Sequence, residues 1–220
     1  MMLRSQLDRR LDELCGAVLD MGESVDQAIG RAVDALARQD RAAAQAVIDG
    51  DDAIGRACAR IEELGACVIT LQQPAIRDLR AVLAALSIAE DLERVGDHAE
   101  GIAQLALRLS HAPDGPTMLS LSGLSALARV QLQGALDAYR AGDALRARDV
   151  WAGDAAVDSM HGRIVQSLIG AMGRDQEVLT TDTYLLWVAH GLERVADRAT
   201  NICERVVFIA TGERRIAVAS

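Results

Sequence analysis

Apolar residues recur along the first stretch of the chain as Leu3, Leu7, Leu11, Leu14, Val18, Met21, Val25, Ile29, Ala32 and Leu36, in steps of three and four. Only a helix brings such a series onto one face, so the pattern predicts a first helix over roughly 3–38. Arg38-Gln39-Asp40 interrupts it. A second periodic stretch follows through Val47, Ile54, Ile61, Leu64 and Val68 and stops before Pro74. Proline disfavours helical backbone at the residue before it and marks a boundary. A third helix is predicted over about 75–110, with Leu79, Leu83, Leu86, Leu92, Val95, Ala99, Ile102 and Leu109 as its apolar positions. The segment HAPDGP at 111–116 places two prolines and a glycine in six residues, the strongest loop signal in the chain.

Beyond that loop the pattern begins again. AVDALARQD (32–40) aligns with ALDAYRAGD (135–143), and VIDGDDAIGRACARI (47–61) with VWAGDAAVDSMHGRI (150–164), at a common offset of 103. Over 32–61, 11 of 30 residues are identical, about twice what unrelated alanine-rich helices would share. AEDLERVGDHAEGI (89–102) matches AHGLERVADRATNI (189–202) at an offset of 100, with 8 of 14 identical. The change of three residues falls between the second and third helices, where a loop absorbs it. The fold class expected is therefore all-α: two tandem three-helix bundles from an internal duplication, 1–112 and 113–220.

Composition agrees with helices. Half of the 220 residues are hydrophobic but only five are aromatic, which disfavours a sandwich or barrel. The net charge of −9 argues against a nucleic-acid partner, since a phosphate backbone demands a basic surface. All 23 basic residues are arginine, so a Walker A lysine, a Schiff base and a lysine general base are excluded. The four cysteines are scattered, without C-x-x-C, as expected of reduced thiols in a cytoplasmic protein. MMLRSQLDRRLDEL lacks the apolar core of a signal peptide, and no apolar run reaches the roughly 18 residues needed to span a bilayer.

Candidate chemistry concentrates in the repeated L-E-R-V-x-D. With 100° per residue, Glu90, Glu93, Asp97 and Glu100 share an arc roughly 80° wide on the third helix. Like charges at these spacings destabilise an isolated helix, whereas carboxylates one turn apart can converge on a hard or borderline cation. The matching arc of the last helix carries His190, Glu193, Asp197, Asn201 and Glu204. A solvated helix face opposite the apolar stripe explains the same pattern, so both readings stand; duplication of the Glu/Asp spacing in both halves favours metal. Asp51 and its equivalent Asp154 lie in or beside apolar lines and early in their helices, where a capping or dipole role is expected. No E-x-x-H occurs at any of the eleven glutamates, which argues against a ferritin-like di-iron centre. Cys203, Trp151 and Trp187 are expected to pack in the core or at a bundle edge.

The duplicated plan, LQQPAIRDLRAVLAALSIAEDLERVGDHAEGIA in the first half and TYLLWVAHGLERVADRATNICE in the second, resembles the PhoU family of bacterial phosphate-uptake regulators over essentially the whole chain. The resemblance implies two three-helix bundles, each with an E(D)-x-x-x-D motif able to hold metal clusters. By position the motifs are Glu93 with Asp97 and Glu193 with Asp197; Glu100 and Asn201 extend the expected ligand set. The ions implied are divalent or ferric: iron, manganese, magnesium or zinc. Arg198 stands where the first half has His98, and Thr200 replaces the carboxylate of Glu100, so the second site is expected to bind fewer or weaker ions, with Asn201 contributing instead. The resemblance further implies a non-enzymatic cytoplasmic adaptor, homodimeric and peripheral to the membrane through its partners, the ATPase of the phosphate ABC transporter and a phosphate-sensing histidine kinase. A metal-dependent hydrolase and a metal-free helical scaffold remain the alternatives.

Overall fold

The structure, a computed structural model, describes residues 2–72, 74–172, 179–213 and 215–216, with side chains from residue 6 onward except that of Gln72; Leu3 of the first apolar series lies outside the described side chains. Seven helices account for nearly all of it: α1 (Met2–Arg38), α2 (Arg41–Gln72), α3 (Ile76–Arg108), α4 (Gly115–Ala141), α5 (Ala144–Ala152), α6 (Asp154–Met172) and α7 (Leu179–Thr211). Helices α1, α2 and α3 form one bundle, and α4, α5, α6 and α7 the other. The bundles join where α3 packs on α7 and α1 on α4. None of the helices is long and apolar enough to cross a membrane.

The first apolar series forms the core as its spacing predicts: Leu14, Val18, Met21, Val25, Ile29 and Leu36 are buried, as are Leu92, Val95, Ala99 and Ile102 on α3. Leu83 departs from the expectation. Val82 takes the core position beside it, and Leu83 is left 45% exposed, over a groove shared with Phe208.

The bundles start and stop their helices alike. Asp40 accepts from the Ala43 amide to cap α2, and its equivalent Asp143 accepts from Leu145 and Arg146 to cap α5. Before each cap one residue turns left-handed, Gln39 at φ 55° and Gly142 at φ 61°. The amides of Asp40 and Asp143 then reach back to the carbonyls of Ala35 and Ala138, closing the preceding helix.

The expected three helices per half are four in the second. The long middle helix of the first bundle runs unbroken through Gly50, but its counterpart divides at Gly153. The Gly153 amide bonds to Val150, three residues back, and the Ala156 amide to Gly153, so the helix tightens locally. A Cβ on Gly153 would lie 3.1 Å from the Val150 carbonyl oxygen, and the tight step therefore favours glycine.

Candidate metal-binding faces

Helices α2 and α3 run antiparallel, and Gly96 lets them approach closely: a Cβ there would lie 3.1 Å from Ile54 and 3.2 Å from Asp51 Oδ1. Asp51 is thereby brought level with the acidic arc of α3. It is the eleventh residue of α2, whose cap is Asp40, so the capping role expected of it is not what the fold uses. Its carboxyl is pushed above the usual range by burial and then by the charges of Glu100, Asp97, Asp52 and Glu93. Glu93 leans over Gly55, 3.8 Å from where a Cβ would stand. Beside it the Cys58 thiol is raised to about 11 by burial, with Glu93 and Glu62 adding to the shift. Sequence reasoning missed Cys58, although it lies seven residues, two turns, from Asp51 and so on the same face. Among the described residues none of Asp51, Glu90, Glu93, Asp97 or Glu100 forms an ion pair. Glu100 accepts from Gln104.

The corresponding face of α7 is wired differently. Arg194 NH1 donates to Asp197 at 2.7 Å, and Arg194 Nε lies 3.3 Å from Glu193 Oε2. The positive charge that the sequence pattern assigned to Arg198 is thus supplied by Arg194. Arg198 instead crosses to α3, 3.4 Å from Asp91. Asn201, an expected ligand, goes with it: its amide donates to Asp91 at 3.1 Å. Asn201 and Arg198 serve the junction between bundles because Asp91 is buried there and needs partners. Thr200 bonds to the Asp197 carbonyl within its own helix. Asp154, first residue of α6, accepts from Gln131 and is raised by burial, against which Gln131 acts, with Asp158 and Asp197 adding to the rise.

A cleft of about 260 Å³ between α3 and α7 connects the two faces, with Asp97 and His98 on one wall and Trp187 and His190 on the other. Trp187 is 56% exposed there, a bundle-edge position. Cys203 packs in the core, its thiol raised to about 12 by burial.

The PhoU domain model matches the chain twice, at residues 18–106 and 121–206, once in each bundle. The chain belongs to the PhoU family. Among curated relatives, the phosphate-specific transport system accessory protein PhoU homolog of Caulobacter vibrioides is 38% identical over 204 residues, covering 92% of this chain and 89% of the relative. The protein of the same name from Streptococcus pneumoniae is 34% identical, covering 96% and 98%. In three dimensions the chain superposes on the crystal structure of the phosphate transport system regulatory protein PhoU from Streptococcus pneumoniae with a TM-score of 0.89 at 32% identity, covering 96% of this chain and 100% of that one. The crystal structure of PhoU from Pseudomonas aeruginosa gives 0.88 at 30% identity, covering 93% and 99%.

The two arcs singled out from the sequence differ in their fit to a cation. Among the described residues no three His, Cys, Asp or Glu side chains are already closed into a ligating cluster. On the α2–α3 face the donors are nevertheless of the type a hard ion takes: carboxylates on two packed helices, without an arginine partner among the described residues, those of α3 raising the proton affinity of Asp51. On α7, Arg194 already pairs with both Glu193 and Asp197.

The raised Asp51 carboxyl has a stability consequence. The folded chain holds this proton more tightly than the unfolded chain, so its contribution favours folding below the ordinary value of 3.8 and is lost as pH rises through the folded value. Asp51→Asn removes the charge at every pH. In metal-free buffer the variant should be more stable than wild type at neutral pH, and its advantage should shrink on acidification to about pH 4. Urea unfolding midpoints check this; an advantage independent of pH would uncouple Asp51 from Glu93, Asp97 and Glu100.

Proposed function

We propose that the chain is a regulatory adaptor of phosphate uptake that acts by contact and not by catalysis. The observation that carries this reading is likeness over nearly the whole chain: the PhoU domain matches once in each bundle, and the chain covers most of the length of relatives named as accessory proteins of a phosphate-specific transport system. Its partners under this reading are the ATPase subunit of the phosphate ABC transporter and a phosphate-sensing histidine kinase. It works in the cytoplasm as a homodimer, peripheral to the membrane through those partners, with lobes divided at 112/113.

The acidic faces supply the regulatory surface. Asp51, Glu93, Asp97 and Glu100 would hold a divalent or ferric ion between α2 and α3; Glu193 and Asp197 would hold one more weakly, because Arg194 competes for them. A bound cation supplies positive charge that offsets the carboxylate repulsion and ties two helices together. The rigid bundles then present these faces to a partner, and signalling contacts of this kind need little area.

Deleting the gene should leave phosphate-starvation genes active in rich phosphate, read as constitutive alkaline phosphatase or an equivalent reporter. Normal repression in a deletion strain with no second copy of the gene would sink the assignment.

A further inference from the structure

Where α3 packs antiparallel on α7, Asn201 meets Asp91 across the junction. One, two and three turns further toward the start of α3, Ser87, Ala84 and Arg80 come level with Arg205, Phe208 and Gly212. Between the two helices lies a pocket of about 170 Å³ lined by Leu83, Ala84, Ser87, Arg205 and Phe208, and among the described residues no carboxylate lines it. Arg205 Nε is buried without a hydrogen-bond partner, and neither Arg205 nor Arg80 forms an ion pair among the described residues. A buried donor left unpaired costs free energy that an arriving acceptor offsets. Arg80 lies over the Phe208 ring, 5.8 Å from its centre, and its guanidinium occupies the space beside Gly212, where a Cβ would come within 2.8 Å of it. In a chain of net charge −9 this is an unusual grouping: an arginine and a hydroxyl facing one cavity, and a second arginine at its rim. The set occurs once. At the offset of 100, Trp187, Leu105 and Arg108 take the positions of Ser87, Arg205 and Phe208 in the cleft at the other end of the junction.

We propose that this pocket binds a phosphate group, free or carried on a short apolar body, with Arg205 and Ser87 as its ligands and Arg80 as a second positive charge at the rim. Guanidinium presents its donors in a fixed fork that matches phosphate oxygens, and the Ser87 hydroxyl adds a donor from the facing helix. A phosphate ester carries nearly two negative charges at neutral pH, which two guanidinium groups balance. A single carboxylate would leave one of them in excess. Leu83, Ala84 and Phe208 make the rest of the wall apolar, and Leu83 is 45% exposed at its edge, so an apolar body has surface to cover beside the anion. Asp91 is the internal competitor. Its carboxyl is raised mainly by burial, against which Asn201, Arg198 and then the Arg205 charge act. The hydrogen bonds of Asp91 come from Asn201 and Arg198, which leaves the Arg205 fork for a ligand. An anion on Arg205 draws that charge away from Asp91, so occupancy is felt where the bundles join. As an input to regulation the site rests on the reading of the chain as a regulator of phosphate uptake; the binding itself does not.

The test is a titration of the full-length, metal-free protein, labelled with 15N in arginine and kept in chelator so that no cation on the acidic faces recruits the anion. Inorganic phosphate should shift the Nε–H signal of Arg205 saturably and leave that of Arg108. By calorimetry, Arg205→Gln should weaken binding about tenfold or more, the worth of a charge-assisted hydrogen bond. Leu83→Glu places a like charge at the pocket from an exposed position that folding tolerates, and should weaken binding as well, whereas Arg108→Gln should not. Unchanged signals from the remaining arginines certify the fold of each variant. Phenyl phosphate binding more tightly than inorganic phosphate assigns the site to an organic phosphate, and the reverse order to the free ion. Benzoate, with one charge, should bind more weakly than phenyl phosphate. An Arg205 signal unmoved by phosphate into the tens of millimolar, an equal shift at Arg108, benzoate as tight as phenyl phosphate, or wild-type affinity in Arg205→Gln overturns the proposal. The readout is a property of the purified protein and does not depend on phosphate repression, so failure here and failure of the regulatory reading are separate results.

Discussion

Arg129→Ala should lower the unfolding free energy by about 3 kcal/mol, the cost of stripping one partner from a buried ion pair at the lower end of its usual range. Asp26, on α1, is only 7% exposed. It receives two parallel hydrogen bonds of 2.8 Å from the Arg129 guanidinium on α4, and a third of 3.0 Å from Gln133. Without the arginine, a carboxylate stays in the junction between bundles with one amide donor. The lower end applies because Arg129 is 35% exposed, so water screens part of the loss. Replacing both partners by leucine should cost less than the single change, since no uncompensated charge remains. Urea unfolding of the three proteins checks both statements, and a single variant as stable as wild type would remove the pair from the account of the junction. The sequence separation of the pair, 103, equals the repeat offset, so equivalent positions of the two halves meet across a pseudo-twofold relation with opposite charges.

Manganese or magnesium at a hundredfold excess over its dissociation constant should stabilise the wild-type protein by about 2.7 kcal/mol. For a chain of this size that is a rise in melting temperature of roughly 5–10 °C. Glu93→Ala with Asp97→Ala should abolish most of the gain, because the two carboxylates lie one turn apart with Asp51 opposite and no arginine to replace the ion. Glu193→Ala with Asp197→Ala should abolish less, since Arg194 already pairs with both carboxylates and competes with the ion. Thermal melts of the three proteins, with and without the ion, make the comparison. A wild-type melting temperature indifferent to magnesium, manganese and ferrous iron would return the α3 arc to a solvated surface, and a larger loss from the α7 pair would invert the ranking of the sites.

Helices, their breaks and the duplication are written along the chain, because each depends on neighbours three or four residues away or on comparison of two segments. Leu14 to Leu36 pack as their spacing requires, Asp40 and Asp143 cap where a break was expected, and L-E-R-V-x-D recurs in both bundles. The family was legible for the same reason, since its signature lies in two contiguous segments matched in both halves. What faces each carboxylate is a property of another helix, and periodicity carries no information about it. Only the packing of α2 on α3 turned Asp51 from an expected cap into a neighbour of Glu93, Asp97 and Glu100. Only the packing of α3 on α7 drew Asn201 and Arg198 to the buried Asp91 and away from the second arc. Arg194 could pair with Glu193 or Asp197 on the same helix by spacing alone, but the closing of α6 on α7 decided that His161 meets His190. A residue's own helix specifies which face it occupies; the identity of what that face meets is set by how the hydrophobic stripes of different helices dock.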